Sequence, residues 1–215
     1  MNKIKKLEEV TPYFKDGLTL MIGGFLCVGT PEIFIDALIE KGVRNLTLIN
    51  NDTGFPDKGV GRLVVSKQFS KIIASHVGTN KETGRQINAG EVEYELVPQG
   101  TLAERIRNAG AGLGGFLTPT GVGTVVENGK QIINVGGKDY VLETPLRADI
   151  ALLHAWKADK YGNLAYRRAA RNFNPLMAMA ADLVIVAAEN IVEVGEIDPD
   201  DVHTPGALVD IIVQA

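Results

Sequence analysis

In 215 residues there is one cysteine, one tryptophan and three histidines. The lone Cys27 excludes an intrachain disulfide and fits a reducing compartment. His76, His154 and His203 stand far apart in the chain, so no His-Glu-x-x-His helix or paired-cysteine spacing points to a metal. A Gly-x-Ser-x-Gly nucleophile elbow is missing as well. No apolar run reaches the ~18 residues of a membrane span, because the uncharged stretch from Gly17 to Pro31 is broken by glycines and polar residues. The opening MNKIKKLEEV passes from basic to acidic without the ~7–15 apolar residues of a secretion signal, and a cytoplasmic location is expected. Positive charge is short too: 22 Lys and Arg face 26 Asp and Glu for a net charge of -4, with no block of like charges, which leaves no footprint for nucleic acid. Glycine is what the chain has in excess, 24 of 215 or about 11% against a usage near 7%. With 45% hydrophobic and 22% charged residues the remainder is ordinary globular composition, and the length predicts one domain over residues 1–215.

Short apolar runs recur at Leu18–Ile22, Leu46–Ile49, Lys71–Ser75, Tyr94–Val97, Ile150–His154 and Leu183–Ala188. Most are continuous rather than alternating, the mark of strands covered on both faces. Helical patterns lie between several of them. Thr30 as cap, Pro31 at the first helical position and Gly42 as stop frame one helix; Thr101 with Glu104 as a capping box and Gly110 as stop frame another, over Thr101–Ala109. Strand, crossover helix and strand predict an α/β fold with an open, mostly parallel sheet and helices on both faces. Gln131–Val135 and Asp139–Leu142 flank Gly-Gly-Lys and read as a β-hairpin added to that sheet. No internal repeat and no linker is evident.

The segment Asp16–Pro31, DGLTLMIGGFLCVGTP, is the most informative. A strand ends at Gly23-Gly24, a glycine-containing loop follows, and a helix begins beyond Pro31. That connection is longer than the usual two to six residues, and its N–H groups with the helix N-terminus predict a partly positive cradle for an anion. The alternative is a strand-to-helix turn using glycine for backbone geometry alone.

Residue by residue this segment resembles the signature of family I coenzyme A transferases, with Asp16, Gly17, Leu20, Met21, Ile22, Gly23, Gly24, Phe25, Gly29 and Pro31 in register. The likeness continues through NNDTG at Asn50–Gly54, VPQGTLAERIR at Val97–Arg107, GGFLTPTGVGT at Gly114–Thr124, ARNFNP at Ala170–Pro175 and DPDDVHTPG at Asp198–Gly206. The resemblance is to α (A) subunits of the branch acting on acetate, butyrate and acetoacetate. It implies the open α/β fold shared by these transferases and certain sugar-phosphate isomerases. It also implies transfer of CoA between an acyl-CoA, such as acetoacetyl-CoA, acetyl-CoA or butyryl-CoA, and a free carboxylate such as acetate. CoA would be a substrate, with no resident cofactor or metal.

In such enzymes a glutamate in a Ser-Glu-Asn-Gly motif of the β subunit carries the acyl and CoA intermediates, and this chain has no such motif. Glu189-Asn190 comes nearest but is flanked by Ala188 and Ile191. The expected partner is therefore a β subunit, in an α2β2 or larger hetero-oligomer. On this side the resemblance implies Gln99 as oxyanion donor, with Gly24, Phe25, Leu26, Cys27, Val28, Gly29, Thr30 and Asn51 contacting CoA or substrate. Arg167, Arg168 and Arg171 could meet CoA phosphates or acids of a partner. GAGLGG at Gly110–Gly115 has dinucleotide-fingerprint spacing, but it follows a helix instead of a strand and reads as a glycine-rich loop beside the site. The rival functions are a sugar-phosphate isomerase-like enzyme, which would need its own acid and base here, and a non-catalytic acyl-CoA-binding regulator.

Overall fold

The computed structural model describes residues 2–215. Its strands are β1 (Thr19–Ile22), β2 (Leu46–Asp52), β3 (Phe69–His76), β4 (Glu93–Leu96), β5 (Phe116–Thr118), β6 (Ile132–Val135), β7 (Lys138–Glu143), β8 (Ala148–Asp159), β9 (Leu164–Ala165), β10 (Ala181–Val192) and β11 (Ile211–Gln214). Its helices are α1 (Leu7–Val10), α2 (Glu32–Lys41), α3 (Gly61–Val65), α4 (Lys81–Asn88), α5 (Gln99–Gly110) and α6 (Asn174–Ala178). An eight-stranded sheet has the order β11-β10-β8-β1-β2-β3-β4, with β9 beside β8. Every neighbouring pair along that path is parallel, and only β9 runs antiparallel.

The two faces of the sheet bury separate apolar layers. Leu20, Ile22, Leu48 and Ile72 point to one face, where Phe34, Ile35 and Leu38 of α2 and Leu63 of α3 cover them. Met21, Ile49, Ile73 and Leu153 point to the other, under Leu102 and Ile106 of α5 and Met177 of α6. Alternate residues of one strand thus serve opposite layers, which explains the continuous apolar runs. The spacing Phe34, Ile35, Leu38 puts three side chains on one stripe of α2, and Gly42 at φ +67° ends the helix by donating to Leu38 and Ile39.

Several local expectations are corrected. Glu32 opens α2 with Pro31 as its cap residue, and Thr30 makes no side-chain cap. Helix α5 begins at Gln99, so Thr101 and Glu104 lie inside it; Glu104 pairs with Arg107 instead of closing a capping box. The hairpin does not extend the main sheet. β6 and β7 join β5 in a separate antiparallel sheet of order β5-β7-β6, where Lys130 and Arg105 flank the buried Glu143 carboxylate. Strand β10 runs on to Val192 instead of stopping at Ala188.

Candidate active site

Strands β1 to β4 are laid down in one direction from β1, and β8, β10 and β11 in the other, so β1 and β8 flank the point where the winding reverses. Open α/β sheets bind ligands outside the carboxyl ends of the strands at such a point. The Gly23–Pro31 connection leaves β1 there. Phe25 and Val28 exchange both backbone hydrogen bonds around Leu26 and Cys27, whose φ angles are +46° and +68°. Two consecutive non-glycine residues in the left-handed region carry conformational strain that the surroundings must hold in place.

They are held on two sides. On one, Asp52 at the end of β2 accepts the Leu26 N–H at 2.8 Å, and the Cys27 thiol lies 3.3 Å from the Lys58 carbonyl. On the other, Asn172 accepts the Gly24 N–H at 3.2 Å and donates to the Val28 carbonyl at 2.9 Å, while buried Asn174 donates to the Gly29 carbonyl at 3.1 Å and accepts the His154 N–H at 3.1 Å. The glycines fit this clamp sterically. A Cβ on Gly23 would lie 1.9 Å from Asn174 Oδ1, and one on Gly29 2.6 Å from the Ala170 carbonyl. The anion-cradle expectation is narrowed by the same bonds, because the N–H groups of Gly23, Gly24, Phe25, Leu26 and Val28 all donate within the chain. What the loop offers to a ligand is chiefly its exposed apolar side chains, Phe25, Leu26 and Val28.

The connection after β2 is similar in outline. Gly54-Phe55-Pro56-Asp57-Lys58-Gly59 matches Gly24-Phe25-Leu26-Cys27-Val28-Gly29 in its glycines and phenylalanine, and Phe55 bridges Lys58 as Phe25 bridges Val28, but through a single backbone hydrogen bond, from the Lys58 N–H to the Phe55 carbonyl, and without left-handed residues at Pro56 and Asp57. A short internal repeat therefore exists where none was expected. Its signal, Gly-Phe-x-x-x-Gly twice after an apolar run, was present in the sequence but is too brief to register as a repeat without the two strands it follows.

Beside the first loop, over the ends of β2 and β3, lies a cleft of ≈ 350 Å³ lined by Phe25, Leu26, Asn51, Ser75, His76, Thr79 and Gln99. Gln99 enters it from the first turn of α5. Its Nε2 donates to Asn51 Oδ1 at 2.6 Å, Asn51 Nδ2 donates to Asp52 Oδ2 at 2.6 Å, and Ser75 Oγ donates to the Asn51 carbonyl at 2.7 Å. Asn51 and Asp52 are each only 2% exposed, so these bonds are shielded from bulk water. The structure brings Gln99, Asn51, Phe25 and Leu26 to one cleft, and adds Ser75, His76 and Thr79, which sequence reasoning did not select. Val28 faces away. It lines a second cleft with His154, Trp156, Arg167, Arg168 and Glu189, so the loop forms the ridge between the two. Gly24, Gly29 and Thr30 serve the loop's own packing, with Thr30 Oγ1 occupying the space a Gly24 Cβ would need.

Other candidates fall into place. Burial pushes the Cys27 thiol above its ordinary pKa, with the Asp52 and Glu32 charges adding to the rise against a backbone hydrogen bond at Phe55, so the setting disfavours a thiolate nucleophile. Glu189 sits within β10 and its carboxylate meets His154 Nε2 at 2.9 Å, in the second cleft and not beside Gln99. GAGLGG is displaced altogether. Helix α5 starts at the carboxyl edge of the sheet and runs back across it, so Gly110–Gly115 lies at the opposite edge, where Gly110 packs on Met179. Among the described residues no group of three or more His, Cys, Asp or Glu is placed to hold a metal, and no helix is long and apolar enough to cross a membrane.

A doubly wound α/β fold with a strained glycine loop at its winding reversal and an amide-lined cleft beside it defines a ligand-binding class rather than one activity. Comparison with known proteins narrows it: residues 4–215 match the family described as coenzyme A transferase, and the chain belongs to that family. It is 56% identical over 98% of its length to the acetate CoA-transferase subunit alpha of Escherichia coli K12, covering 96% of that protein. It is 49% identical over 99% of its length to the acetoacetyl-CoA:acetate/butyrate CoA transferase alpha subunit of Clostridium acetobutylicum, covering 98% of that protein. Among solved structures, an acyl-CoA transferase from E. coli O157:H7 in a thioester complex with CoA superposes with a TM-score of 0.89 at 21% identity; this chain is covered in full and spans about half, 50%, of that one. Glutaconate coenzyme A-transferase from Acidaminococcus fermentans gives 0.84 at 19% identity, over 99% of this chain and 75% of that one. At such identities the structural likeness speaks for the fold alone.

Proposed function

We propose that this chain is the α subunit of a short-chain-acid CoA-transferase, moving CoA between acetoacetyl-CoA, acetyl-CoA or butyryl-CoA and a free carboxylate such as acetate. The observation that carries the reading is the cleft itself. It offers a side-chain amide, Gln99, beside an apolar wall of Phe25 and Leu26, and none of its lining residues is a carboxylate. A thioester exchange of this type needs a carboxylate nucleophile, because the acyl anhydride it forms keeps the thioester's free energy for the return step. Supply of that glutamate by a β subunit in a hetero-oligomer of α2β2 type or larger accounts for its absence here, as do the names of the relatives, which are α or A subunits. Gln99 then donates to the oxyanion that develops when the nucleophile attacks the thioester carbonyl. Asn51 holds Gln99, and the short acyl chain lies against Phe25 and Leu26. CoA acts as substrate and no further cofactor is needed, in a cytoplasmic setting.

The test is where the CoA lands. Acyl-CoA incubated with the purified complex, followed by borohydride reduction and peptide mass analysis, should mark a glutamate of the partner chain and leave Glu189 and Cys27 of this one unmodified. Gln99→Ala should lower kcat about a hundredfold or more, the usual cost of one oxyanion donor. A reduced Glu189 would overturn the division of labour.

A further inference from the structure

We infer that Asp52 is a positioning residue that sets the polarity of the Gln99 amide, so that its nitrogen and not its oxygen is held beside Asn51 in the cleft. The inference rests on the reading of Gln99 as oxyanion donor.

A primary amide is nearly symmetric in shape, and which end faces a neighbour is decided by hydrogen bonding alone. Gln99 by itself has no preference. Asn51 has none either, since its own amide offers an acceptor and a donor. A carboxylate differs, because it accepts at both oxygens and donates at neither. Asp52 stands at the far end of the chain of bonds, where Oδ2 accepts from Asn51 Nδ2 at 2.6 Å and from the Leu26 N–H at 2.8 Å, and Oδ1 accepts from the Gly54 N–H at 2.7 Å. Asn51 must therefore turn its nitrogen to Asp52 and its oxygen to Gln99. Gln99 must in turn present Nε2, at 2.6 Å, and that nitrogen carries a second hydrogen for the cleft. With the order reversed an oxygen would stand beside Asn51, and an oxyanion there would meet a repulsive acceptor.

Two of the three donors to Asp52 are backbone groups of the two glycine loops, so the carboxylate is fixed by both loops, the first of which forms the cleft wall through Phe25 and Leu26. This separates two roles by experiment. If Asp52 acts through the Gln99 amide, its effect on kcat must disappear once that amide is gone. If it only braces the loops, its effect is the same with or without Gln99.

The experiment is a double-mutant cycle on the complex with the partner subunit, with Asp52→Ser, whose hydroxyl both donates and accepts and so removes the fixed polarity, combined with Gln99→Ala, and kcat and KM for acyl-CoA measured throughout. The expected result is at least a tenfold fall in kcat for Asp52→Ser with a KM change under threefold, and a further change in kcat under threefold when it is added to Gln99→Ala. Equal factors in the two backgrounds, or native kcat in Asp52→Ser, would overturn the proposal. If Asp52→Ser does not assemble, Asp52→Ala replaces it in the same cycle, because a methyl group neither donates nor accepts and so equally removes the fixed polarity. Native kcat in Gln99→Ala alone would refute the reading of Gln99, and the proposal with its premise, whereas a large Gln99→Ala loss with additive factors refutes the Asp52 role only.

Discussion

The clash between Gly23 and Asn174 gives a stability prediction whose size follows from the structure. Gly23 does not adopt a left-handed conformation, so alanine is allowed there by its backbone, and the whole cost of Gly23→Ala arises from the Cβ placed 1.9 Å from Asn174 Oδ1. To make room, the fully buried Asn174 carboxamide must leave its place and forfeit its bonds with the His154 N–H, the Gly29 carbonyl and the Ala170 carbonyl. At about 1 kcal/mol net for each hydrogen bond, that is ~3 kcal/mol. Residual overpacking adds ~1 kcal/mol at the low end of its range, for a total of ~4 kcal/mol. In a chain of this length that corresponds to roughly 8–16 °C in Tm. Asn174→Ala forfeits the same three bonds and should cost ~3 kcal/mol on its own. In the double variant the new methyl enters space the carboxamide has vacated, so Gly23→Ala should then add under about 1 kcal/mol. Urea unfolding followed by circular dichroism on the four proteins measures the coupling. It should be about 3 kcal/mol, with unchanged m-values showing that compactness is preserved. Additivity within about 0.5 kcal/mol would refute the claim that ARNFNP and the Gly-Gly-Phe loop are one packed unit.

Other outcomes follow from the same geometry. Gly29→Val should lower stability together with activity, because φ at +76° disfavours any branched side chain and the Ala170 carbonyl blocks it; loss of activity at native Tm would contradict this. Cys27 should be alkylated by iodoacetamide more slowly than a free thiol, with a rate midpoint above the ordinary value near pH 8.5, since burial raises its pKa; a midpoint below that would refute the assignment. Arg85 grips Glu82 and Glu91, holding both carboxyls down to about 2, chiefly through its side-chain hydrogen bonds. Depressed carboxyl pKa values stabilise above the unfolded value near 4.3, and that contribution is lost as pH falls toward 2. The Tm difference between wild type and Arg85→Ala should therefore be constant above about pH 5 and shrink on acidification between those limits. A difference independent of pH would show that the clamp contributes nothing through charge.

What the sequence by itself determined lies in features whose physics is local. Continuous apolar runs such as Leu18–Ile22 declared doubly covered strands, helical patterns between them declared crossovers, and the register of Asp16–Pro31 declared the family, because each depends on residues within one or two turns of chain. The extension of β10 past Ala188 was not legible, since Glu189 and Asn190 are polar and their place in the sheet comes from pairing with Lys157 and its neighbours on β8. The start of α5 was misplaced for a related reason: Thr101 and Glu104 satisfy a capping pattern, but Pro98 already fixes the turn from which Gln99 begins the helix. Only the folded chain decided that Asn172 and Asn174, nearly 150 positions downstream, fill the space left by Gly23 and Gly29, and that Asp52 at the end of β2 receives the Leu26 N–H of the loop after β1. Local propensity has no term for such contacts. They arise where parallel strands deliver distant connections to one edge of the sheet, and at that edge the side chains of Gln99, Asn51 and Asp52 acquire the order that a sequence can only name one residue at a time.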